Sequence, residues 1–278
     1  MDRIDLHTHS KVSDGSMTPA ELIRHAKAAD LRAVALTDHD TIGGLAEARA
    51  AAAEVGIEFV PGVELACWQD KTELHIVGLF IDDAQPAFRE AMEEMQRIRE
   101  ARNQKMVDLM AAAGVDITMA KLREQEGEGV LTRANFGRYL LNAGFVTSIN
   151  EAFSRYLDNG RPFYIPRTTI TPARAISLIK EAGGIPILAH PLIYKIGKET
   201  LEKYVAILKD LGLEGIEVAY STNSPADDLY SMRLANRFGL KYSGGSDFHG
   251  SYKPHIQIGT GRGRLVVPYD YLEKLKDR

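Results

Sequence analysis

The stretch "IDLHTHSKVSDG" (residues 4–15) joins a short apolar segment to two histidines that are separated by one residue. Residues 4–6 predict a β-strand, and side chains at positions i and i+2 of a strand leave the same face. We therefore expect His7 and His9 to project together from the carboxyl end of this strand. Asp14 follows in a loop of small residues. Two imidazoles and a nearby carboxylate are typical of a metal site.

Beyond this stretch, short apolar runs alternate with amphipathic helical patterns, which is typical of βα units around a parallel sheet. Thr18 and Pro19 predict the start of the first helix, as N-cap and first helical residue. A polar turn at 69–71 predicts a hairpin between two of the strands. The predicted strands are 3–6, 33–37, 58–65, 72–80, 185–190, 215–220 and 241–247, and the predicted helices between them are 18–30, 42–55, 171–182, 198–211 and 225–238.

Residues 85–166 interrupt this alternation. A long helical pattern ends at Gly114, and shorter ones follow at 119–126, 133–143 and 149–157, with no clear strand among them. A chain of 278 residues can form one large α/β domain. We therefore predict an α/β domain made of residues 1–84 and 167–278, with a helical insertion subdomain at 85–166.

The composition, with 45% hydrophobic and 26% charged residues, suffices for a sizeable core. The formal charge of −4 argues against binding nucleic acid through an extended basic surface. The amino terminus lacks the apolar run of a signal peptide, and no window approaches the roughly 18 apolar residues of a membrane span. The single cysteine, Cys67, excludes an internal disulfide and fits a reducing compartment. We expect a cytoplasmic protein without membrane association, and its oligomeric state stays open.

Residues of the metal-ligand type recur where the predicted strands end, which is where barrel enzymes collect their catalytic residues. Six of the eight histidines are among them. Neutral imidazole and carboxylate suit zinc, manganese or iron, and nine ligands exceed what one four-coordinate ion needs. We predict two to three divalent ions held by His7, His9, Asp14, His39, Glu64, His75, His190, Asp247 and His249.

Four other residues could also contribute to a site, but they are not predicted to be metal ligands. His25 lies within a helical pattern and is expected to be a solvated helix residue, and Cys67 is expected to be a buried packing residue. His255 is a candidate for contact with substrate. Asp38, beside His39, either orients an imidazole or caps the following helix.

The motifs "DLHTHSKVSDG", "ALTDHDT", "GVEL", "LHIVG", "AHP" and "GSDFHG" occur in this order along the whole chain. They resemble the polymerase and histidinol phosphatase (PHP) family. The segments "LTRANFGRYLLNAGF" and "AFSRYLDNGRPFYIP" resemble the insertion of the family's stand-alone nucleotide phosphoesterase branch. Two departures affect substrate recognition and leave the ligand set intact. Asn135 stands where a histidine is expected, and Lys11-Val12 replaces small residues.

The resemblance implies a distorted (β/α)7 TIM-like barrel with up to three divalent ions. It assigns His7, His9, Glu64 and Asp247 to a first ion, Glu64, His75 and His190 to a second, and Asp14, His39 and His249 to a third. The implied nucleophile is a hydroxide that bridges the first two ions, because coordination lowers the pKa of water from about 15.7 towards about 7. Glu64, Asp247 and His190 are thus the implied catalytic residues.

A phosphate substrate needs a cation besides the metals, and the planar guanidinium of arginine suits it. Arg133 is the first choice, because it opens a predicted helix whose dipole also favours an anion. Arg138, five residues later, is expected to be structural. The further candidates for substrate binding are Lys11, Asn135 and His255, with Arg161 and Lys253 as weaker ones. The alternative for each charged side chain is that it is a solvated surface group without contact to the substrate.

These features favour a metal-dependent phosphoesterase that acts on a small phosphorylated metabolite, with a nucleotide as the favoured substrate. Three reactions stay open: removal of the 3′-phosphate from a nucleoside 3′,5′-bisphosphate, opening of a cyclic phosphate, or trimming of short RNA from its 5′ end. One alternative is an amidohydrolase-type enzyme with a non-phosphate substrate, but no lysine that could be carboxylated stands at a strand end among the motifs. A non-catalytic module stabilised by metal is the other alternative, and it has no chemical need for nine ligands.

Overall fold

The computed structural model describes residues 2–70, 72–166 and 170–277, and a seven-stranded sheet runs through its centre. The strands follow one another in the sheet in chain order, and each matches a predicted strand. Their bounds are β1 (Arg3–Asp5), β2 (Leu31–Leu36), β3 (Glu58–Gln69), β4 (Thr72–Leu79), β5 (Ile185–Leu188), β6 (Gly215–Tyr220) and β7 (Lys241–Gly245). The predicted fold class, an α/β protein built on seven strands, is confirmed.

The sheet is parallel except at β4, which pairs antiparallel with both β3 and β5. The predicted hairpin between β3 and β4 is therefore confirmed, although Lys71 of its turn lies outside the described residues.

The two edges of the sheet approach each other: the Leu6 N–H donates to the Gly244 carbonyl over 3.2 Å. A Cβ atom on Gly245 would lie 2.4 Å from the Cβ of His7, so this approach requires glycine. The result is a nearly closed, distorted barrel.

Helices cover the outside of the barrel and form the segment between β4 and β5. The Thr18 side chain accepts the N–H of Glu21 over 3.2 Å and so caps the first helix, as predicted. The last helix, of eight residues, has no counterpart in the sequence prediction. The bounds are α1 (Pro19–Ala28), α2 (Leu45–Val55), α3 (Pro86–Ala112), α4 (Met119–Glu126), α5 (Arg133–Asn142), α6 (Ile149–Ala152), α7 (Pro172–Glu181), α8 (Lys198–Asp210), α9 (Pro225–Phe238) and α10 (Tyr269–Lys276).

The segment between β4 and β5 has a hydrophobic core of its own. Phe136 and Leu140 of α5 pack there with Met106 of α3, whereas Phe88, at the start of α3, belongs to the core of the barrel. Helix α3 thus joins two cores. The predicted return to the barrel at residue 167 lies outside the described residues.

The predicted helix at 149–157 is α-helical only in its first four residues, and a π-helical turn follows at Phe153–Leu157. The Asp158 N–H bonds to the Phe153 carbonyl over 2.9 Å, which is the i→i+5 pattern of that turn. Within residues 2–70, 72–166 and 170–277, none of the helices combines the length and the apolar character needed to cross a membrane.

Candidate metal centre

The nine candidate ligands converge at one end of the barrel. Seven of them follow strands that end there, whereas Glu64 and His75, which were also expected at strand ends, lie within the hairpin strands β3 and β4. They form four overlapping groups, in each of which the ligand atoms lie within 4.8 Å of one another. This grouping differs from the three sets that the resemblance implies. His9 shares a group with Asp14 as well as with Asp247, and His39 shares a group with Glu64 as well as with Asp14. They are His9–Asp14–His39–His249, His7–Glu64–His190, His7–His9–Asp247 and His39–Glu64–His75.

Glu64, near the middle of β3, stands at the centre of these groups and is 1% exposed. Its Oε1 lies 2.8 Å from Nδ1 of His75 and 3.0 Å from Nε2 of His190. Its Oε2 lies 2.8 Å from Nδ1 of His39 and 3.4 Å from Nε2 of His7. Burial opposes the charge of this carboxyl, but the imidazoles of His39, His75 and His7 outweigh burial and hold its pKa well below the usual range. Glu64 is therefore an ionised carboxylate shared by two groups.

Asp14 organises a second part of the cluster. Its Oδ1 lies 3.2 Å from Nε2 of His249, and its Oδ2 lies 3.7 Å from Nε2 of His39. The hydroxyl of Thr132, the N-cap of α5, donates to Oδ2 over 2.9 Å. Burial opposes ionisation here as well, yet His39 and His249 hold the pKa of Asp14 well below its usual range. The contact with Thr132 ties the helical segment to the cluster.

Asp247 follows β7 and presents one oxygen to the cluster, with Oδ1 3.2 Å from Nε2 of His9. Its Oδ2 accepts the hydroxyl of Tyr220 over 2.8 Å and the ammonium of Lys253 over 2.9 Å. Asp247 has a positive φ of 56°, and His190 one of 30°. Such backbone conformations cost about 1–3 kcal/mol each and collect at functional sites.

Several buried ligand atoms of the cluster have no hydrogen-bond partner in the described structure, and this indicates whether the cluster suits metal ions. Four such atoms of the described chain face one another: Nε2 of His7, Nε2 of His9, Oδ1 of Asp14 and Oε2 of Glu64. Leaving buried polar atoms unpaired costs roughly 1–3 kcal/mol each, and divalent cations would remove that cost. Burial, then the neighbouring His249 and His39, lower the pKa of His9 to about 3, so this imidazole is neutral and able to bind a metal. The residues fit a divalent metal centre.

The hydrogen bonds of Asp38 go to the loop after β1, and its side chain makes no capping bond to α2, so neither interpretation of it is confirmed. Its carboxylate accepts the N–H and the hydroxyl of Ser10 over 2.8 and 2.6 Å, and the hydroxyl of Ser13 over 2.6 Å. These three bonds hold the loop after β1, which carries His9 and Asp14. The sequence contains no local signal for this pairing, since 25 residues separate Asp38 from Ser13.

An open cavity lies beside the cluster. Asp14, His39 and His75 form part of its wall. The helical segment contributes three guanidinium groups, from Arg99, Arg102 and Arg133. Metal-ligand side chains and cations thus face one space, although they come from distant parts of the chain.

Arg133 is the first residue of α5, as predicted, and its side chain reaches the cavity. Its guanidinium donates to Oε2 of Glu73 over 2.8 Å and lies 5.7 Å from the ring centroid of Tyr164. Arg138 points elsewhere. It donates through Nε to Glu126 over 2.8 Å and stacks on Tyr252 at 3.7 Å.

The other substrate-binding candidates do not line this cavity in the described part of the chain. Asn135 is fully buried, accepts the N–H of Thr132 over 2.7 Å and donates to Glu126 over 3.0 Å. Its side chain therefore stabilises the start of α5. Lys11 and His255 are exposed.

Two residues outside the ligand set were also given roles from the sequence. His25 is partly buried, and its ring stacks on Phe248 at 5.4 Å, so the expectation of a solvated residue is wrong. The reason is that α1 packs beside the loop after β7. Cys67 is buried within β3, as predicted.

Thr132, Tyr220 and Glu217 bond to candidate metal ligands and have no counterpart among the predicted site residues. The same holds for Trp68, Glu73, Arg99 and Arg102, which line the cavity. Tyr220 and Glu217 lie in the run "GIEVAY", whose apolar character indicated only a buried strand. The single glutamate in that run was the one available signal, because an acidic residue is seldom buried without a partner.

Comparison with known proteins places this geometry in a family. The PHP domain matches residues 5–141. A 3′,5′-nucleoside bisphosphate phosphatase from Chromobacterium violaceum is 39% identical over 251 residues, which cover 90% of this chain and 88% of that protein. A 5′–3′ exoribonuclease from Haemophilus influenzae is 36% identical over 247 residues, with 89% and 90% covered.

A solved structure agrees with these relatives over the full chain. An amidohydrolase from Chromobacterium violaceum, with bound sulfate and no metal, has a TM-score of 0.89 and 34% identity, and the match covers 99% of this chain and 96% of that one. The sequence motifs, the distorted barrel and the convergence of nine ligand side chains agree with these matches. The chain belongs to the PHP domain family.

Proposed function

We propose that the protein is a metal-dependent phosphoesterase that hydrolyses a phosphate ester of a small metabolite, and that the substrate is a nucleotide. One observation carries the proposal: a single cavity is lined by ligands of the metal centre, by three arginines and by three aromatic side chains. Metal ions and guanidinium groups suit phosphate, and aromatic rings suit a nucleobase. The names of the phosphatase and exoribonuclease relatives support the same substrate class.

The metal centre is proposed to hold two to three divalent ions, with manganese, zinc and iron as the candidates. When bound, such ions lower the pKa of water and offset the negative charge that develops on phosphoryl oxygens. Glu64 is placed to bridge, since its two oxygens face different groups of imidazoles. The other ligands of the proposal are His7, His9, Asp14, His39, His75, His190, Asp247 and His249.

The arginines are proposed to bind the phosphate and to orient it towards the metal centre. The proposal for Arg133 is supported by its position in the wall of the cavity and by the bond from its neighbour Thr132 to Asp14. In the described structure Arg133 is paired with Glu73, so an incoming phosphate exchanges one anionic partner of Arg133 for another. Arg99, which pairs with Asp40, adds positive charge to the same wall. We propose that the helical segment 85–166 is a subdomain that supplies this wall.

The aromatic side chains are proposed to bind the base. Trp68 extends from the hairpin strand β3, and Phe153 and Tyr164 come from the helical segment. The Nε1–H of Trp68 is buried and has no hydrogen-bond partner among the described residues, so it can donate to a polar ligand. A cavity with a cationic side and an aromatic side matches a molecule with a phosphate and a base.

The alternative, an amidohydrolase-type reaction on a non-phosphate substrate, is favoured only by the name of one solved relative. A neutral amide or lactone has no use for three arginines beside the metal ligands. The predicted cytoplasmic location rests on the sequence alone and stays a prediction.

The test is a substrate panel with protein that has been loaded with manganese, zinc or iron. Phosphate release or product formation is measured for nucleoside 3′,5′-bisphosphates, mononucleotides, cyclic nucleotides and short 5′-phosphorylated RNA, with a lactone and an amide as controls. We expect turnover within the phosphorylated set and none with the controls. Turnover of the lactone or amide alone would contradict the proposal.

Metal analysis gives a separate prediction. Because nine ligands form overlapping groups around Glu64, we expect two to three divalent ions per chain after metal loading and removal of free metal. Elemental analysis by mass spectrometry measures this ratio. A ratio of one or less would contradict a multinuclear centre.

Removal of the Trp68 ring is expected to raise KM for a nucleotide about fivefold, because stacking of one base is worth about 1 kcal/mol or more. Trp68→Ala is compared with Trp68→Phe, which keeps a ring and is expected to retain most of the affinity. Ribose 5-phosphate, which lacks a base, is the control substrate and should respond to neither change. Equal effects on both substrates would show that Trp68 does not contact the base.

A further inference from the structure

Glu217 is a buried carboxylate on β6 that contacts two ligands of the metal centre at once. It is 1% exposed. Its Oε1 lies 2.8 Å from Nδ1 of His7, and its Oε2 accepts the backbone N–H of His190 over 2.6 Å. These two residues form one ligand group together with Glu64. Both oxygens of Glu217 are therefore engaged by members of the same group.

The contact with His7 determines which ring nitrogen faces the cluster. A neutral imidazole carries one proton, and a carboxylate at Nδ1 holds the proton there and leaves the lone pair on Nε2. Nε2 of His7 lies 3.4 Å from Oε2 of Glu64 and makes no hydrogen bond within the described chain. The nitrogen that Glu217 keeps free is thus the one that points to the shared carboxylate.

The contact with His190 acts on the backbone. His190 has a positive φ of 30°, and its Nε2 lies 3.0 Å from Oε1 of Glu64. A residue in this conformation needs support from its surroundings, and the bond from its N–H to Glu217 gives that support. Glu217 thereby fixes the direction in which the imidazole of His190 leaves the end of β5.

We propose that Glu217 is a positioning residue of the metal centre: it holds His7 in the form that binds through Nε2, and it fixes the backbone of His190. It thereby raises the affinity for the ion that His7, Glu64 and His190 hold together. The inference rests on the metal centre of the proposed function, but it concerns binding of the ion and not the reaction.

The test is Glu217→Gln. The amide has a similar shape but only one accepting atom, so it cannot accept from both His7 and His190. Loss of such a partner typically weakens metal binding about 10- to 100-fold. Calorimetric titration of metal-free protein with zinc should show this loss for one ion, with the remaining ions bound as in the unchanged protein. The kcat measured at low manganese should fall and recover at saturating manganese, whereas KM for the nucleotide stays constant.

Glu214→Gln is the matched control. Glu214 directly precedes β6, is about one-third exposed and pairs with Lys180 over 3.3 Å. We expect metal affinity within about twofold of the unchanged protein. Equal affinities in the Glu217→Gln and Glu214→Gln variants would overturn the inference.

A second measurement uses the unchanged protein, in case Glu217→Gln fails to fold. In the zinc-loaded protein, 1H–15N NMR of the imidazoles should show His7 with a protonated Nδ1 and zinc at Nε2, with the signals assigned through His7→Ala. Zinc at Nδ1 of His7 would overturn the inference. If the protein binds zinc in this way but hydrolyses no phosphate ester, the proposed function fails and the role of Glu217 stands.

Discussion

Glu64→Gln is expected to lower kcat about 150- to 5,000-fold. The carboxylate of Glu64 is buried and lies within 3.0 Å of His39, His75 and His190. Removal of one partner from a buried charged cluster costs roughly 3–5 kcal/mol, and each 1.36 kcal/mol is a factor of ten. The amide also removes the negative charge that two ions would share. Steady-state kinetics on the best substrate of the panel and elemental analysis measure the two effects together.

Glu94→Gln is the matched control for this change. Glu94 lies on α3, its side chain is 56% exposed, and it pairs with Arg97 on the same helix. We expect kcat and metal content within about twofold of the unchanged protein, because surface substitutions usually cost under about 0.5 kcal/mol. If Glu64→Gln retained its metal and its turnover as Glu94→Gln does, the assignment of the metal centre would be wrong.

Arg133→Ala is expected to lower kcat/KM about 10- to 100-fold while the metal content stays constant. A hydrogen bond to a charged group is worth roughly 1.5–3 kcal/mol, and loss of transition-state contacts appears in kcat/KM. The change also leaves Glu73 without its guanidinium partner in the cavity, where its charge repels phosphate. Arg133→Lys should recover only part of the loss, because an ammonium group lacks the planar fork.

The control for Arg133 is Arg138→Ala, five residues further along α5. Arg138 donates to Glu126 and stacks on Tyr252, so its removal should lower the melting temperature and leave kcat/KM within about threefold. In the double variant Arg133→Ala/Glu73→Gln, the repulsion between Glu73 and the substrate phosphate is removed. Part of the lost kcat/KM should therefore return. If kcat/KM is unchanged in Arg133→Ala, Arg133 does not bind the phosphate of the substrate.

Much of the fold is visible in the sequence because its signals are local. The alternation of apolar runs and helical patterns predicted all seven strands of the sheet, and Thr18 with Pro19 predicted the start of α1. Two elements departed from the prediction. The segment Phe153–Leu157 forms a π-helical turn where an α-helix was expected, and the helix α10 was not predicted.

The candidate site divides in a similar way. Seven of the nine candidate ligands follow strands in the sequence, and parallel strands bring their carboxyl ends to one side of a barrel. Glu64 and His75 lie within the hairpin strands β3 and β4 instead, and the antiparallel pairing of these strands brings the two residues to the others. The sequence by itself therefore determined which side chains are candidate ligands. It did not determine how they group: His39 lies between Asp14 and Glu64, and His9 belongs to two groups.

Only the tertiary structure decided which groups hold those side chains in place. Glu217 bonds to His7 across 210 residues of sequence, Thr132 bonds to Asp14 across 118, and Asp38 bonds to Ser13 across 25. Periodicity encodes the burial of a residue and its secondary structure, but it carries no information about distant partners. A buried carboxylate can bond to any donor that the fold brings within about 3 Å. The choice of that donor follows from closure of the barrel and from the position of α5 beside it.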